Sequence, residues 1–145
     1  MHYADIKKVD IANGEGVRVS LFVSGCRHHC KGCFNEIAWN FKYGKEFTED
    51  TVNEIMKDLD HDYVDGLSLL GGEPLEPEKK DIIPECKTSN ITNKLISNID
   101  VVVDGKFDET KMDKTLKFRG SSNQRIIDVK ETLKDNAIKM VKFTD

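Results

Sequence analysis

The stretch Val17-Arg18-Val19-Ser20-Leu21-Phe22-Val23, followed after Ser24-Gly25 by Cys26-Arg27-His28-His29-Cys30-Lys31-Gly32-Cys33, decides the reading of this chain. Its first half is rich in β-branched and aromatic residues and is bounded by Gly16 and Gly25, which predicts a buried strand. Its second half places Cys26, Cys30 and Cys33 in a C-x3-C-x2-C spacing directly after that strand. A loop this short can bring three thiolates onto one inorganic centre, yet three cysteines leave a 4Fe-4S cluster one ligand short of the usual four. An unclaimed iron is an open coordination position, the feature that separates a catalytic metal site from a closed structural one. A structural zinc site in which His28 or His29 completes a Cys3His set is a second reading, and buried inert thiols are a third. Taken singly, each histidine reads as a loop residue that shapes the surroundings of the centre.

Outward from this core, Val52, Ile55, Met56 and Leu59 recur at helical spacing, with Thr48 suited to the N-cap and Phe47 and Val52 at the staple positions. A second strand, Gly66-Leu67-Ser68-Leu69-Leu70, runs into Gly71-Gly72-Glu73-Pro74, and a third, Ile99-Asp100-Val101-Val102-Val103, ends in Asp104-Gly105. Thr92 is placed to cap a short helix presenting Leu95, Ile96 and Ile99, and the alternation from Ala137 to Phe143 predicts a half-exposed edge strand. Strands separated by helical stretches, each ending in Gly or Asp, predict an α/β fold of βαβ units around a mostly parallel sheet. At 145 residues the expectation is one domain over residues 1–145.

Composition narrows the function. Hydrophobic residues make up 38% and charged residues 33%, a globular balance, and no internal repeat interrupts it. A formal net charge of -4 argues against nucleic acid as a partner, because phosphate-backbone binding needs clustered Lys and Arg. The longest apolar runs, Leu21-Phe22-Val23 and Val101-Val102-Val103, fall far short of a membrane span, so no membrane partner is expected. The opening residues lack a basic segment followed by an apolar one, which predicts no secretory signal and a cytoplasmic protein. In that reducing compartment the cysteines are poor disulfide candidates, and their crowding points to metal or redox chemistry.

The cysteine spacing after the first strand, with Gly71-Gly72-Glu73-Pro74 one strand later, resembles the radical S-adenosylmethionine superfamily. Asn13-Gly14-Glu15-Gly16-Val17-Arg18, Cys33-Phe34-Asn35, Val103-Asp104-Gly105-Lys106-Phe107 and Arg119-Gly120-Ser121-Ser122-Asn123-Gln124 make it similar to the activating proteins of glycyl radical enzymes, the anaerobic ribonucleoside-triphosphate reductase branch best of all. The resemblance implies a shortened, partial (β/α) barrel of the radical S-adenosylmethionine type. It implies that Cys26, Cys30 and Cys33 hold a 4Fe-4S cluster whose fourth iron chelates the methionine moiety of S-adenosylmethionine. Reductive cleavage would then yield methionine and a 5′-deoxyadenosyl radical, which takes hydrogen from a glycine Cα of the partner reductase. Gly71, Gly72 and Glu73 would cradle the methionine amino group, while Asp104, Lys106 and Asn35 would contact the rest of the cofactor. An electron donor such as a flavodoxin is implied as a further partner.

Some stretches stand apart from this pattern. Cys86 has no companion ligand nearby and reads as a free thiol. Trp39 and Phe41 are expected to pack on the helix after the cysteine loop, and Arg119 to Gln124 reads equally as a contact to partner or cofactor and as a flexible surface loop. Relatives of the family place a further helix and a strand with an aromatic-Thr-Gly motif between Gly-Gly-Glu-Pro and Val-Asp-Gly, where this sequence has only Leu75 to Asn98. Either the strand at Val101 pairs directly with that at Leu69, or residues of the physical protein are missing from the sequence at this point. The patternless run Glu85 to Asn90 favours the second. A radical enzyme acting on a free metabolite, an activase of another glycyl radical enzyme, and a zinc-stabilised interaction module are the alternative functions.

Overall fold

A computed structural model describes residues 1–74 and 99–142. These residues fall into two compact units, the first holding 1–29 and 34–74 and the second 30–33 and 99–142. The expected helix at Thr92 and the thiol of Cys86 lie outside the described residues.

The first unit is built on a four-stranded sheet of order β3-β1-β2-β4, with β1 His2–Asp10, β2 Arg18–Val23, β3 Lys45–Glu46 and β4 Gly66–Gly71. Strand β2 is central, and its consecutive Val19, Ser20 and Leu21 are all buried, so both of its faces are covered. Helix α1, Glu49–Leu59, begins at the N-cap Thr48, whose backbone N–H donates to Thr51 Oγ1 at 3.1 Å. Its inward face is Thr51, Ile55 and Asp58, one step round from the apolar stripe read from the sequence, and Met56 is exposed. Phe47 packs its ring edge-on against Tyr3, with centroids 6.2 Å apart. The core of this unit is Tyr3, Val19, Leu21, Val23, Ala38 and Ile55.

The second unit carries a two-stranded antiparallel sheet of β5, Val101–Asp104, and β6, Arg125–Asp128, followed by the short helix α2, Val129–Asp135. Asp128 caps α2 by accepting from Glu131 N at 2.9 Å, and Asn136 ends it in the left-handed region. Of the edge strand expected over Ala137 to Phe143, Phe143 lies outside the described residues, and among the described ones Met140 forms an isolated bridge to Ile127.

The expected partial (β/α) barrel around a mostly parallel sheet is not the fold of the described residues. They form small sheets with two short α-helices, and only the β2–β4 ladder is parallel, while β1–β2, β1–β3 and β5–β6 are antiparallel. The physical reason lies in β1 and β6, neither of which the sequence pattern exposed. Register shifts between Tyr3 and Asp5 and between Lys7 and Asp10 interrupt the pairing of β1, so its charged residues mask a strand that takes the free edge of β2. Strand β6 is four residues long in a polar stretch, and it pairs antiparallel with β5 at Val101↔Asp128 through Asp104↔Arg125.

Candidate functional site

The parallel β2–β4 ladder runs in register from Arg18↔Gly66 to Val23↔Gly71. Parallel pairing delivers the residues after both strands to the same end of the sheet, which is where open α/β sheets bind ligands. Here those residues are Ser24-Gly25-Cys26 and Gly72-Glu73. The two segments are joined backbone to backbone: Gly72 N donates to Val23 O at 2.8 Å and Glu73 N to Gly25 O at 2.9 Å. So close an approach requires glycine. A Cβ on Gly72 would run into the Gly25 carbonyl oxygen, and Gly71, at φ +102°, sits where other residues are strained.

The start of the cysteine loop rests on residues 35–41. Gly25 N donates to Ala38 O at 2.6 Å and Cys26 N to Trp39 O at 3.3 Å. The Arg27 guanidinium lies 4.8 Å from the centre of the Phe41 ring, and the His29 ring stacks on Trp39 with centroids 4.3 Å apart. Trp39 and Phe41 thus each hold a side chain of the loop itself. Asn35 is the N-cap of the 3-10 helix Glu36–Trp39, accepting from Ala38 N at 3.0 Å through its carbonyl. Between Arg27 and His29, His28 Nε2 donates to Glu73 Oε2 at 3.1 Å. Both imidazoles that could complete a Cys3His set are therefore engaged with other side chains.

Cys26 belongs to the first unit, and Cys30 and Cys33 to the second. All three are partly exposed and none forms a disulfide. Cys33 N donates to Cys30 O at 3.1 Å, closing a turn that Gly32 enters at φ +77°. Among the described residues no group of three or more His, Cys, Asp or Glu side chains stands in a metal-holding arrangement.

In the second unit, Lys31 and Lys106 line an open recess of about 530 Å³ together with Phe107, Asp108, Glu109, Thr110 and Asn123, and Lys31 Nζ pairs with Glu109 Oε1 at 3.1 Å. Hydrogen bonds from the Thr110 hydroxyl and backbone N–H hold the Asp108 carboxyl below the usual carboxylate range. Asp104 forms an ion pair with Arg125 across the β5–β6 ladder. The run Arg119 to Gln124, read from sequence equally as a contact to partner or cofactor and as a flexible surface loop, forms a buckle within the second unit. Gln124 Oε1 accepts from Gly120 N at 2.9 Å and Ser121 N at 3.1 Å, while its Nε2 donates to Gly105 O at 3.0 Å. Asn123 Nδ2 donates to Lys106 O at 2.8 Å, so the two amides fasten the turn that carries Asp104 and Lys106. Sequence reasoning quoted these residues but missed their task; two adjacent side-chain amides, able to donate and accept, were the available signal.

Comparison with known proteins supplies the family. Residues 12–127 match the model of the 4Fe-4S single cluster domain. The anaerobic ribonucleoside-triphosphate reductase-activating protein of Pasteurella multocida (strain Pm70) is 37% identical over 152 residues, covering 87% of this chain and 96% of its own. This chain belongs to the family of anaerobic ribonucleoside-triphosphate reductase-activating proteins. The member from Enterobacteria phage T4 is 38% identical over 146 residues, covering 87% of this chain and 93% of its own. That from Escherichia coli (strain K12) is 37% identical over 148 residues, covering 86% and 96%. Each of these alignments is longer than the 145 residues of the chain while taking in less than all of it, so these family members carry residues without a counterpart here. No solved structure matches the chain.

Proposed function

We propose that the chain is an iron–sulfur activase that generates a glycyl radical on anaerobic ribonucleoside-triphosphate reductase, acting as a single radical S-adenosylmethionine domain in the cytoplasm. The observation that carries this reading is the hydrogen bond from Glu73 N to Gly25 O at 2.9 Å, which sets the Gly-Gly-Glu-Pro turn against the start of the cysteine loop. The donor chemistry fits a 4Fe-4S cluster: Cys26, Cys30 and Cys33 are soft thiols, partly exposed and outside any disulfide. The cradle fits a methionine amino group, because the glycines bring backbone atoms close and the Glu73 carboxylate offers a counter-charge.

A cluster held there would supply one electron for reductive cleavage of S-adenosylmethionine to methionine and a 5′-deoxyadenosyl radical, the species that would take a hydrogen atom from the reductase glycine. The chain's residues bind and orient. Cys26, Cys30 and Cys33 would hold three irons, and Gly71, Gly72 and Glu73 would seat the methionine end. Asn35, Asp104 and Lys106 would contact the remainder, the last two on a turn stiffened by Asn123 and Gln124. The electron would come from a donor such as a flavodoxin. No helix among the described residues is long and apolar enough to cross a membrane.

The test is anaerobic reconstitution with iron and sulfide, reduction, and addition of S-adenosylmethionine with the purified reductase. Methionine and 5′-deoxyadenosine in equal amounts, together with a glycyl radical doublet in the electron paramagnetic resonance spectrum, are expected. A reduced, iron-loaded protein that leaves S-adenosylmethionine intact would overturn the reading. Cleavage without a radical on the reductase would instead direct attention to another protein substrate or a metabolite.

A further inference from the structure

The geometry points to His28 as a positioning residue that fixes the Glu73 carboxylate toward the cofactor, an inference that rests on the reading of Glu73 as part of the methionine cradle. Glu73 has an anchored backbone. Its N–H is bound to Gly25 O at 2.9 Å, and Pro74 after it restricts its own ψ to the extended region. The side chain is set by its own contacts, of which the His28 imidazole is one, and its rotatable bonds carry about 2 kcal/mol of conformational entropy that such contacts must hold. A carboxylate that samples many rotamers is a poor partner for an ammonium group, because ordering it subtracts from the binding free energy.

His28 is built to do that ordering beforehand. The residues on either side of it are held: Arg27 over the Phe41 ring at 4.8 Å, and His29 in the left-handed region at φ 46° with its ring stacked 4.3 Å from Trp39. With both neighbours committed to the 35–41 segment, the backbone of His28 has little freedom, and its Nε2 meets Glu73 Oε2 at 3.1 Å. The imidazole donates to one carboxylate oxygen, and a carboxylate has acceptor capacity left for a further donor. Half of the His28 side chain is exposed, so the contact is not needed to fill a core. Its consequence is local and directional: a loop residue outside the three-cysteine set orients the acidic group of the neighbouring turn.

The experiment compares S-adenosylmethionine affinity by equilibrium dialysis on anaerobically reconstituted protein, with iron and sulfide content and far-ultraviolet circular dichroism measured on the same samples. His28→Ala should keep a full cluster and the wild-type fold yet weaken binding about fivefold, the size of one net hydrogen bond, and His28→Gln, which retains a donor, should return to within about twofold of wild type. Glu73→Gln should weaken binding about tenfold or more, and adding His28→Ala to it should cost almost nothing further, because the orienting contact then has no carboxylate to orient. Wild-type affinity in His28→Ala with weakened affinity in Glu73→Gln would overturn the role of His28 alone. Wild-type affinity in Glu73→Gln would remove Glu73 from the cradle and this inference with it. Loss of iron in His28→Ala would also overturn it, assigning His28 to the cluster instead.

Discussion

The two ends of the β2–β4 ladder are made of similar materials and put to opposite uses. At the N-terminal end the polar groups satisfy one another. Arg18 donates from Nε to Ser68 Oγ at 2.7 Å, from Nη2 to Leu67 O at 3.0 Å and from Nη1 to Glu15 O at 3.2 Å. Ser68 Oγ in turn donates to Asn13 O at 2.6 Å, and Asp65 accepts from Val17 N at 2.8 Å while its own N–H donates to Val17 O at 2.7 Å. At the C-terminal end glycines bring two backbones together, and what projects from them is a thiol, Cys26, and a carboxylate held by an imidazole. One end is a knot and the other a mouth. Glycine at both ends serves different purposes: Gly16, at φ +79°, makes room for the Asp65 side chain, whereas Gly72 makes room for another backbone.

This contrast predicts that lesions at the two ends separate into chemistry and stability. The largest effect belongs to the cysteines. Cys26→Ala, Cys30→Ala and Cys33→Ala should each lose the reconstituted cluster, seen as loss of brown colour and of iron per chain, while Cys86→Ala keeps both. A full cluster in any of the first three would break the assignment of that cysteine as a ligand.

Next in size are the cradle variants. Glu73→Ala should retain iron and weaken S-adenosylmethionine binding by about ten- to a hundredfold, the worth of a charge-assisted hydrogen bond. Gly72→Val should do more, because its side chain would press on Gly25 beside Cys26, so affinity and iron retention should both fall. Equal behaviour of the two variants would contradict the backbone contact between Gly72 and Gly25.

At the other end Arg18→Ala should lower the unfolding free energy by about 2 kcal/mol, through lost hydrogen bonds from a charged donor, and leave iron content and cofactor affinity as they were. A selective loss of affinity at wild-type stability would erase the distinction between the ends.

The smallest effect is one of pH. Burial alone would raise the Asp10 carboxyl, but hydrogen bonds from Asn13 Nδ2 and Ala12 N outweigh it and hold the pKa below its ordinary value of 3.8. A depressed carboxylate contributes stability above its unfolded pKa and loses it as the pH falls through the folded one. The difference in urea midpoint between wild type and Asp10→Asn should therefore be largest above about pH 5 and shrink below about pH 4. A difference constant across that range would assign the effect to shape and not to charge.

How much of this was legible in the sequence follows from the physics of each signal. The strand Arg18–Val23, helix α1 with its Thr48 cap and the strand into Gly71 all carry periodic or turn signatures local to a few residues, and they stand close to where the pattern placed them. The sheet as a whole did not, because strand pairing is non-local: irregularly paired, charged β1 and four-residue β6 give weak local signals yet fix the antiparallel character. At the site, the cysteines and the glycine turn were visible as spacing. The link between His28 and Glu73 joins positions 45 residues apart and has no local signature, and neither has the use of Gln124 on three backbone groups.

The central proposal is that Cys26, Cys30 and Cys33 together leave one iron for the cofactor. Mössbauer spectroscopy of the protein reconstituted with iron-57, with and without S-adenosylmethionine, tests it most directly. The account predicts a 4Fe-4S spectrum in which a single iron site, about a quarter of the total, changes its isomer shift and quadrupole splitting when S-adenosylmethionine is added. Four irons that all keep their parameters on addition, or a protein that retains zinc and assembles no cluster, would contradict it.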